Sequence, residues 1–111
     1  MMGDRNLKLV EGTLEMLILR TLEAGPMHGW SIGQSIEDVS RAGLQLNQGS
    51  LYPALHRLEQ GGFIRAKWGV SEKHRRAKFY SLTATGRRKL DHETEQWRRF
   101  SGSIELVLQQ G

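Results

Sequence analysis

The last quarter of the chain constrains it most. From Thr83 to about Gln109 the sequence reads as one helix of ~25 residues, about 40 Å long at 1.5 Å per residue. Thr83 is its expected N-cap, and Gly86 a weak point in its first turn. Leu90, Trp97 and Ile104 recur at intervals of seven, Phe100 and Val107 take the offset positions, and Leu108 lies beside them. Glu93 interrupts one offset position. A small domain cannot cover an apolar seam of that length, and a second copy of the same helix is the economical way to bury it. Leu90, Trp97, Phe100, Ile104, Val107 and Leu108 are therefore the expected homodimer interface, with burial inside one chain as the alternative.

The chain has 111 residues, 38% hydrophobic and 25% charged, which fits one globular domain with such an appendage. There are no cysteines, so disulfides, thiolate zinc sites, iron–sulfur clusters and thiol catalysis are excluded, and a cytoplasmic location is expected. The most apolar run, Leu14 to Leu22, is broken by Glu15, Arg20 and Thr21, so no membrane span is expected. Met1 to Arg5 lacks the apolar core of a secretory signal. Internal repeats and low-complexity segments are missing.

Net charge is a modest +4, but it is unevenly spread. Phe63 to Lys89 holds nine bases (Arg65, Lys67, Lys73, Arg75, Arg76, Lys78, Arg87, Arg88 and Lys89) against one acid, Glu72. The rest of the chain is net acidic. Such polarisation favours a polyanionic partner, or else makes a solvated basic face.

Thr13 to Glu23 has the spacing of a helix, with Leu14, Leu17, Ile18 and Leu22 on one buried face widened by Met16 and Leu19. Gly25-Pro26 ends it. A second helix runs from His28 or Gly29 to about Ser40, with Ile32, Ile36 and Val39 inward and with Gly29 and Gly33 weakening its local propensity. Arg41 to Leu46 is a short connection holding Gly43.

Asn47 caps a third helix that stops at Gly61-Gly62. At 100° per residue Leu51, Leu55 and Leu58 share a narrow core sector. Gly49, Pro53, His56 and Gln60 fall opposite, flanked by Tyr52 and Arg57. Pro53 removes a backbone donor and crowds the carbonyl of Gly49, the least encumbered neighbour available. Alternation then places Ile64, Ala66 and Trp68 on one strand face and Arg65 and Lys67 on the other. After a polar segment from Gly69 to Ala77, Lys78 to Leu82 is a second strand. Together they form a hairpin with Lys73, His74, Arg75 and Arg76 near its tip.

The fold class this order predicts is mostly α with a small β-hairpin: a winged helix-turn-helix over residues 8–83, then a dimerisation helix over 84–109. A helix ~10–12 Å across fits the ~12 Å major groove of DNA, so the third helix can offer its small outer face to base edges. Gly49 and Ser50 let backbone amides near a phosphate at the positive end of the helix dipole. Tyr52 can donate to a phosphate, Arg57 can pair with phosphate or guanine, and His56 and Pro53 face the bases. Lys73, Arg75, Arg76 and Lys78 of the wing would straddle the backbone or enter the minor groove. The expected partner is double-stranded DNA with an inverted-repeat site, half-sites on the order of 34 Å apart.

Asn47 to Glu59, followed by Gly62-Phe63-Ile64, resembles the recognition-helix signature of PadR-type transcriptional regulators. Arg75 to Gly86 is similar to that family's wing and the start of its dimer helix. Gly12-Thr13-Leu14 and His28-Gly29-Trp30 resemble its opening segment, where Gly-Tyr is more usual than Gly-Trp. The likeness covers nearly all of residues 8–109 and fits the short subfamily with one C-terminal helix. It implies a homodimeric repressor, often autoregulatory or controlling a neighbouring transporter or detoxification gene, with Gly49, Ser50, Tyr52, Pro53 and the basic wing at DNA; Asn47, at the cap beside them, is a further candidate DNA contact. In drug-sensing relatives a tryptophan matching Trp97 pairs with its symmetry mate and stacks flat aromatic compounds, and a second tryptophan matches Trp68. The resemblance thus implies a small aromatic effector at Trp97 and Trp68; Phe100, one turn on, could close such a pore and is the third candidate contact. The other reading of Trp97 is the largest side chain of the seam.

Other chemistries find little support. His28, His56, His74 and His92 are isolated, and Gln96 stands where a second ligand after His92-Glu93 would be, so neither metal nor cofactor is expected. Ser50 and His56 lack a carboxylate and an oxyanion pocket, so no enzyme is expected. A winged helix that binds protein is the competing function, which the lysines of the wing disfavour. An unspecific polyanion or membrane-surface binder would need apolar insertion residues beside the bases.

Overall fold

A computed structural model describes residues 13–110. The expected domain start at residue 8 and Gly12 of the opening motif lie outside the described residues. Residues 13–22 are helical (α1). Strand β1 (Met27–His28), helix α2 (Gly29–Val39), helix α3 (Gln48–Gln60), strands β2 (Ile64–Val70) and β3 (Arg76–Leu82) and helix α4 (Ala84–Leu108) follow. The three strands form one antiparallel sheet in the order β1-β3-β2. This is a winged helix with a long terminal arm.

The core is the meeting point of α1, α2, α3 and the inner end of the sheet. Leu14, Ile18, Leu19 and Leu22 pack against Ile32 and Ile36 and against Leu51, Leu55 and Leu58, with Ala54 joining them. Ile64 and Tyr80 close it from the sheet side. The leucine sector read from the sequence of α3 is thus the buried one.

Three local expectations are corrected, at Val39, at Leu17 and in the segment between the strands. Val39 is 80% exposed, because α2 ends there, one turn past Ile36 and beyond the core. Leu17 is only partly buried, at the rim of the cluster. Trp68 is 56% exposed, since β2 runs on past the core and carries it into the wing. The polar segment between the strands shrinks to residues 71–75, because Gly69 pairs with Ala77 and Val70 with Arg76. A strand also went unforeseen: β1 pairs Met27 with Tyr80 and His28 with Phe79, and two residues are too few to show a period.

Two helix ends use the same device. At the end of α3 the Phe63 amide donates to the Leu58 carbonyl at 2.9 Å and the Gly62 amide to Glu59 at 3.0 Å, with Gly62 at φ 79°. These paired bonds satisfy carbonyls that the helix leaves open. At the end of α2 the Ala42 amide reaches Glu37 at 2.8 Å and the Arg41 amide reaches Asp38 at 3.1 Å. Here the left-handed residues are Arg41 (φ 54°) and Ala42 (φ 61°), and Gly43 takes no part in the turn's positive φ.

Candidate nucleic-acid interface

The third helix begins as its sequence demands. Asn47 is extended and its Oδ1 accepts from the Ser50 amide at 2.9 Å. A β-carbon at Gly49 would sit 3.1 Å from that oxygen, so glycine leaves the cap undisturbed. Gly49, Tyr52, Pro53, His56, Arg57 and Gln60 are all exposed, and Ser50 is half-buried. The outer face of α3 is open along its whole length.

Both glycines of α2 have a packing reason. A β-carbon at Gly29 would lie 2.7 Å from Cε1 of Tyr52, and one at Gly33 would lie 3.2 Å from Cδ2 of Leu51. Their missing side chains let α2 approach the first turns of α3 and seat Tyr52 beside the outer face. What weakens the helix locally secures it in the tertiary fold.

The wing is a short loop closed by Ser71. The Ser71 amide donates to the Arg75 carbonyl at 2.8 Å, the His74 amide donates to the Ser71 carbonyl at 2.9 Å, and Ser71 Oγ accepts from the Arg75 amide at 3.3 Å. His74 turns the chain with φ 58°. Lys73 and Arg75 stand exposed at this tip. Arg76 belongs to β3, and its guanidinium stacks 4.7 Å from the Trp68 ring centroid. An arginine over an indole face is held by the ring quadrupole.

Arg57 and several bases of the basic stretch are engaged within the chain. Arg57 Nε donates to Glu15 of α1 at 2.9 Å. Lys78 Nζ donates to Glu59 of α3 at 3.1 Å and lies 5.7 Å from the Tyr80 ring. Arg87 pairs with Glu23 at 2.9 Å, and Glu23 also pairs with Arg20. Lys89 pairs with Glu93 at 3.1 Å. Among the described residues Arg65, Lys67, Lys73 and Arg75 of the basic stretch form no ion pair. Glu15 and Glu59 were not singled out in the sequence, where each looks like an ordinary helix-surface acid. Arg65 and Lys67, exposed on β2, add two more bases beside the expected site.

Burial of Tyr80 pushes its phenol above the ordinary value of 10.0, with Lys78 pulling the other way and Glu59 and Tyr52 reinforcing the rise. Its ring closes the core beneath the Lys78–Glu59 pair that ties β3 to α3.

The arm is rooted firmly. Thr83 Oγ1 accepts from the Gly86 amide at 3.0 Å and donates to the Gly62 carbonyl at 2.7 Å, with the Phe63 carbonyl 3.0 Å away. Gly86 is no weak point: it is buried, and a β-carbon there would overlap the Phe63 carbonyl. Leu90, expected in the seam, is 3% exposed and belongs to the domain's own core. Being less than two turns from the N-cap, it is still alongside the domain. Beyond it Trp97 (43%), Phe100 (60%), Ile104, Val107 and Leu108 are exposed, and so is Leu106, which the heptad reading omitted. The Trp97 and Phe100 rings lie 6.2 Å apart at a tilt of 49°. Among the described residues no helix is long and apolar enough to cross a membrane, and no group of three metal-ligating side chains gathers.

A winged helix with an open third helix, a basic wing and a projecting arm defines a class of regulatory proteins. The family model of the PadR-like transcriptional regulators matches residues 18–92, and the chain belongs to that family. It is therefore a transcriptional regulator and not an enzyme. Among solved structures it is similar to a PadR family transcriptional regulator from Eggerthella lenta, at 28% identity and TM-score 0.81, over 99% of this chain and 94% of that one. A transcriptional regulator from Clostridium thermocellum matches at 26% identity and TM-score 0.81, over 88% of this chain and 95% of that one. A 37.1 kDa protein of a Streptomyces fradiae transposon is 42% identical over 81% of this chain, which spans only 24% of that protein's length. A Lysinibacillus sphaericus protein is 26% identical over 91% of this chain and 93% of its own.

Proposed function

We propose that the chain is a sequence-specific DNA-binding repressor that works as a homodimer in the cytoplasm. Residues 8–83 bind DNA, and residues 84–109 join two copies. The open face of α3 carries this reading: every residue along it from Gly49 to Gln60 that points away from the leucine sector is exposed or half-exposed. A surface of glycine, proline, histidine and tyrosine, small enough to enter a groove and flanked by the wing bases, suits base edges better than a protein core. Asn47, Gly49, Ser50, Tyr52, Pro53, His56 and Arg57 form the reading surface. Lys73, Arg75, Arg76 and Lys78 supply the wing, the last two after leaving Trp68 and Glu59.

The apolar stretch from Trp97 to Leu108 supports pairing of two arms, whose union would place two α3 helices on an inverted-repeat site. Trp97 and Phe100, with Trp68 nearer the wing, are the residues through which a small planar aromatic effector would act, by changing the angle between arms and so the fit to both half-sites.

Selection of bound duplexes from a random pool, followed by salt titration, tests the reading. The expected result is a symmetric site, a steep salt slope and a preference of roughly 10³ or more over random sequence. Equal binding to every duplex would overturn it.

A further inference from the structure

Arg57 carries five N–H donors in a planar fork. One is committed, Nε to Glu15 Oε2 at 2.9 Å, and among the described residues Nη1 and Nη2 make no hydrogen bond. Glu15 precedes Arg57 by 42 residues and stands on α1, so the pair is a tertiary contact. It is also an open one, with side-chain exposures of 48% for Arg57 and 27% for Glu15. An ion pair this exposed adds little to stability. It also sets a carboxylate close to the face that the bases of the wing flank, where an acid is electrostatically unwelcome. What the bond does supply is direction. With Nε held, the swing of the guanidinium is restrained and Nη1 and Nη2 are left for a partner. Arg57 flanks the outer face of α3 on the side of α1, the flank that would meet the wall of a groove occupied by α3. A sugar–phosphate strand forms that wall, and the fork matches two phosphate oxygens.

We propose that Glu15 is a positioning residue that presets Arg57 for a two-point contact with one backbone phosphate of DNA, an inference that rests on the DNA-binding reading above. Holding the side chain in place beforehand removes an ordering cost at the moment of binding. Glu15 itself touches no DNA.

The test uses the full chain and the duplex selected from the random pool, with single phosphates replaced by neutral methylphosphonates. In the wild type, neutralising one phosphate per half-site lowers affinity about tenfold, the scale of one charge-assisted contact. Arg57→Ala abolishes that dependence. Glu15→Ala shrinks it to about threefold or less, because the guanidinium is no longer held. Glu15→Gln retains it, since the amide oxygen still accepts from Nε. Both Glu15 variants lose the same negative charge, so relief of repulsion is common to them and cancels in the comparison. A full tenfold dependence in Glu15→Ala overturns the inference, as does its loss in Glu15→Gln. A wild type in which no phosphate depends on Arg57 overturns the contact itself. A wild type that selects no duplex overturns the DNA-binding reading, and is recognised before any variant is made.

Discussion

The Tyr52 ring of α3 rests against the α-carbon of Gly29 in α2, so close that a β-carbon would stand 2.7 Å from Cε1. The first residue of one helix thereby sets the pose of a side chain on the next. Tyr52 is exposed on its other side and can swing outward when crowded.

Gly29→Ala is therefore expected to separate folding from recognition. At the first position of α2 alanine gains less helix propensity than the interior value of about 1 kcal/mol, and the exposed ring can yield, so unfolding in urea should shift by no more than about 1 kcal/mol. Affinity for the selected duplex should fall about tenfold, the scale of one hydrogen bond to a charged phosphate. Unchanged affinity with a displaced Tyr52 would remove that residue from the DNA surface.

Gly86→Ala should do the opposite and damage the fold. The obstacle is the Phe63 carbonyl, part of the backbone, and it cannot rotate away. A loss of about 2 kcal/mol or more is expected from such overpacking. Thr83→Ala should cost about 1–2 kcal/mol through the lost cap and the lost bond to Gly62, while Thr83→Ser should recover most of it. Urea unfolding of the three variants checks the order.

Arg41→Gly should stabilise the chain. Arg41 occupies the left-handed position that ends α2, the place Gly62 fills after α3. Relief of the β-carbon strain is expected to gain about 1 kcal/mol, read as a higher urea midpoint at unchanged slope.

Stability should fall in alkali through Tyr80. Its folded-state value lies above 10.0 because burial disfavours the phenolate, so the folded chain holds this proton more tightly than the unfolded one. The stabilisation is complete below pH 10 and is lost as the pH climbs through the folded-state value. Urea midpoints followed from about pH 9 to about pH 11 should drop more steeply in the wild type than in Tyr80→Phe, which has no proton to lose there. Parallel curves would assign the decline to other groups.

Phe100→Glu should yield a folded monomer. The residue is exposed in the single chain, so a charge there costs the domain nothing, while two charges facing each other in a seam repel. Sedimentation at micromolar concentration, alongside an unchanged far-ultraviolet spectrum, reads both consequences.

The elements legible in the sequence were those with a full period or a strong terminal signal. The leucines of α3, its Asn47 cap, the Thr83 cap and the length of α4 all follow from residue spacing and capping chemistry. The two-residue β1 has no period, and Val39 and Trp68 sit where a pattern outruns the core that would reward it. Leu90 fits a heptad and a domain core equally well, and only the path of α4 decides between them. The candidate DNA surface was legible as a list of residue types. Its restraints were not: Glu15 on Arg57, Glu59 on Lys78 and Gly29 under Tyr52 each join positions more than eighteen residues apart.

The Thr83 hydroxyl ties the end of α3 to the beginning of α4, and Leu90 and the Lys89 ammonium over the Phe63 ring pin the next turns. Rod and reader thus turn about a common pivot with no joint between them. A swing imposed at the far tip would reach α3 through this tie, so control exerted at the extremity would need no path through the interior.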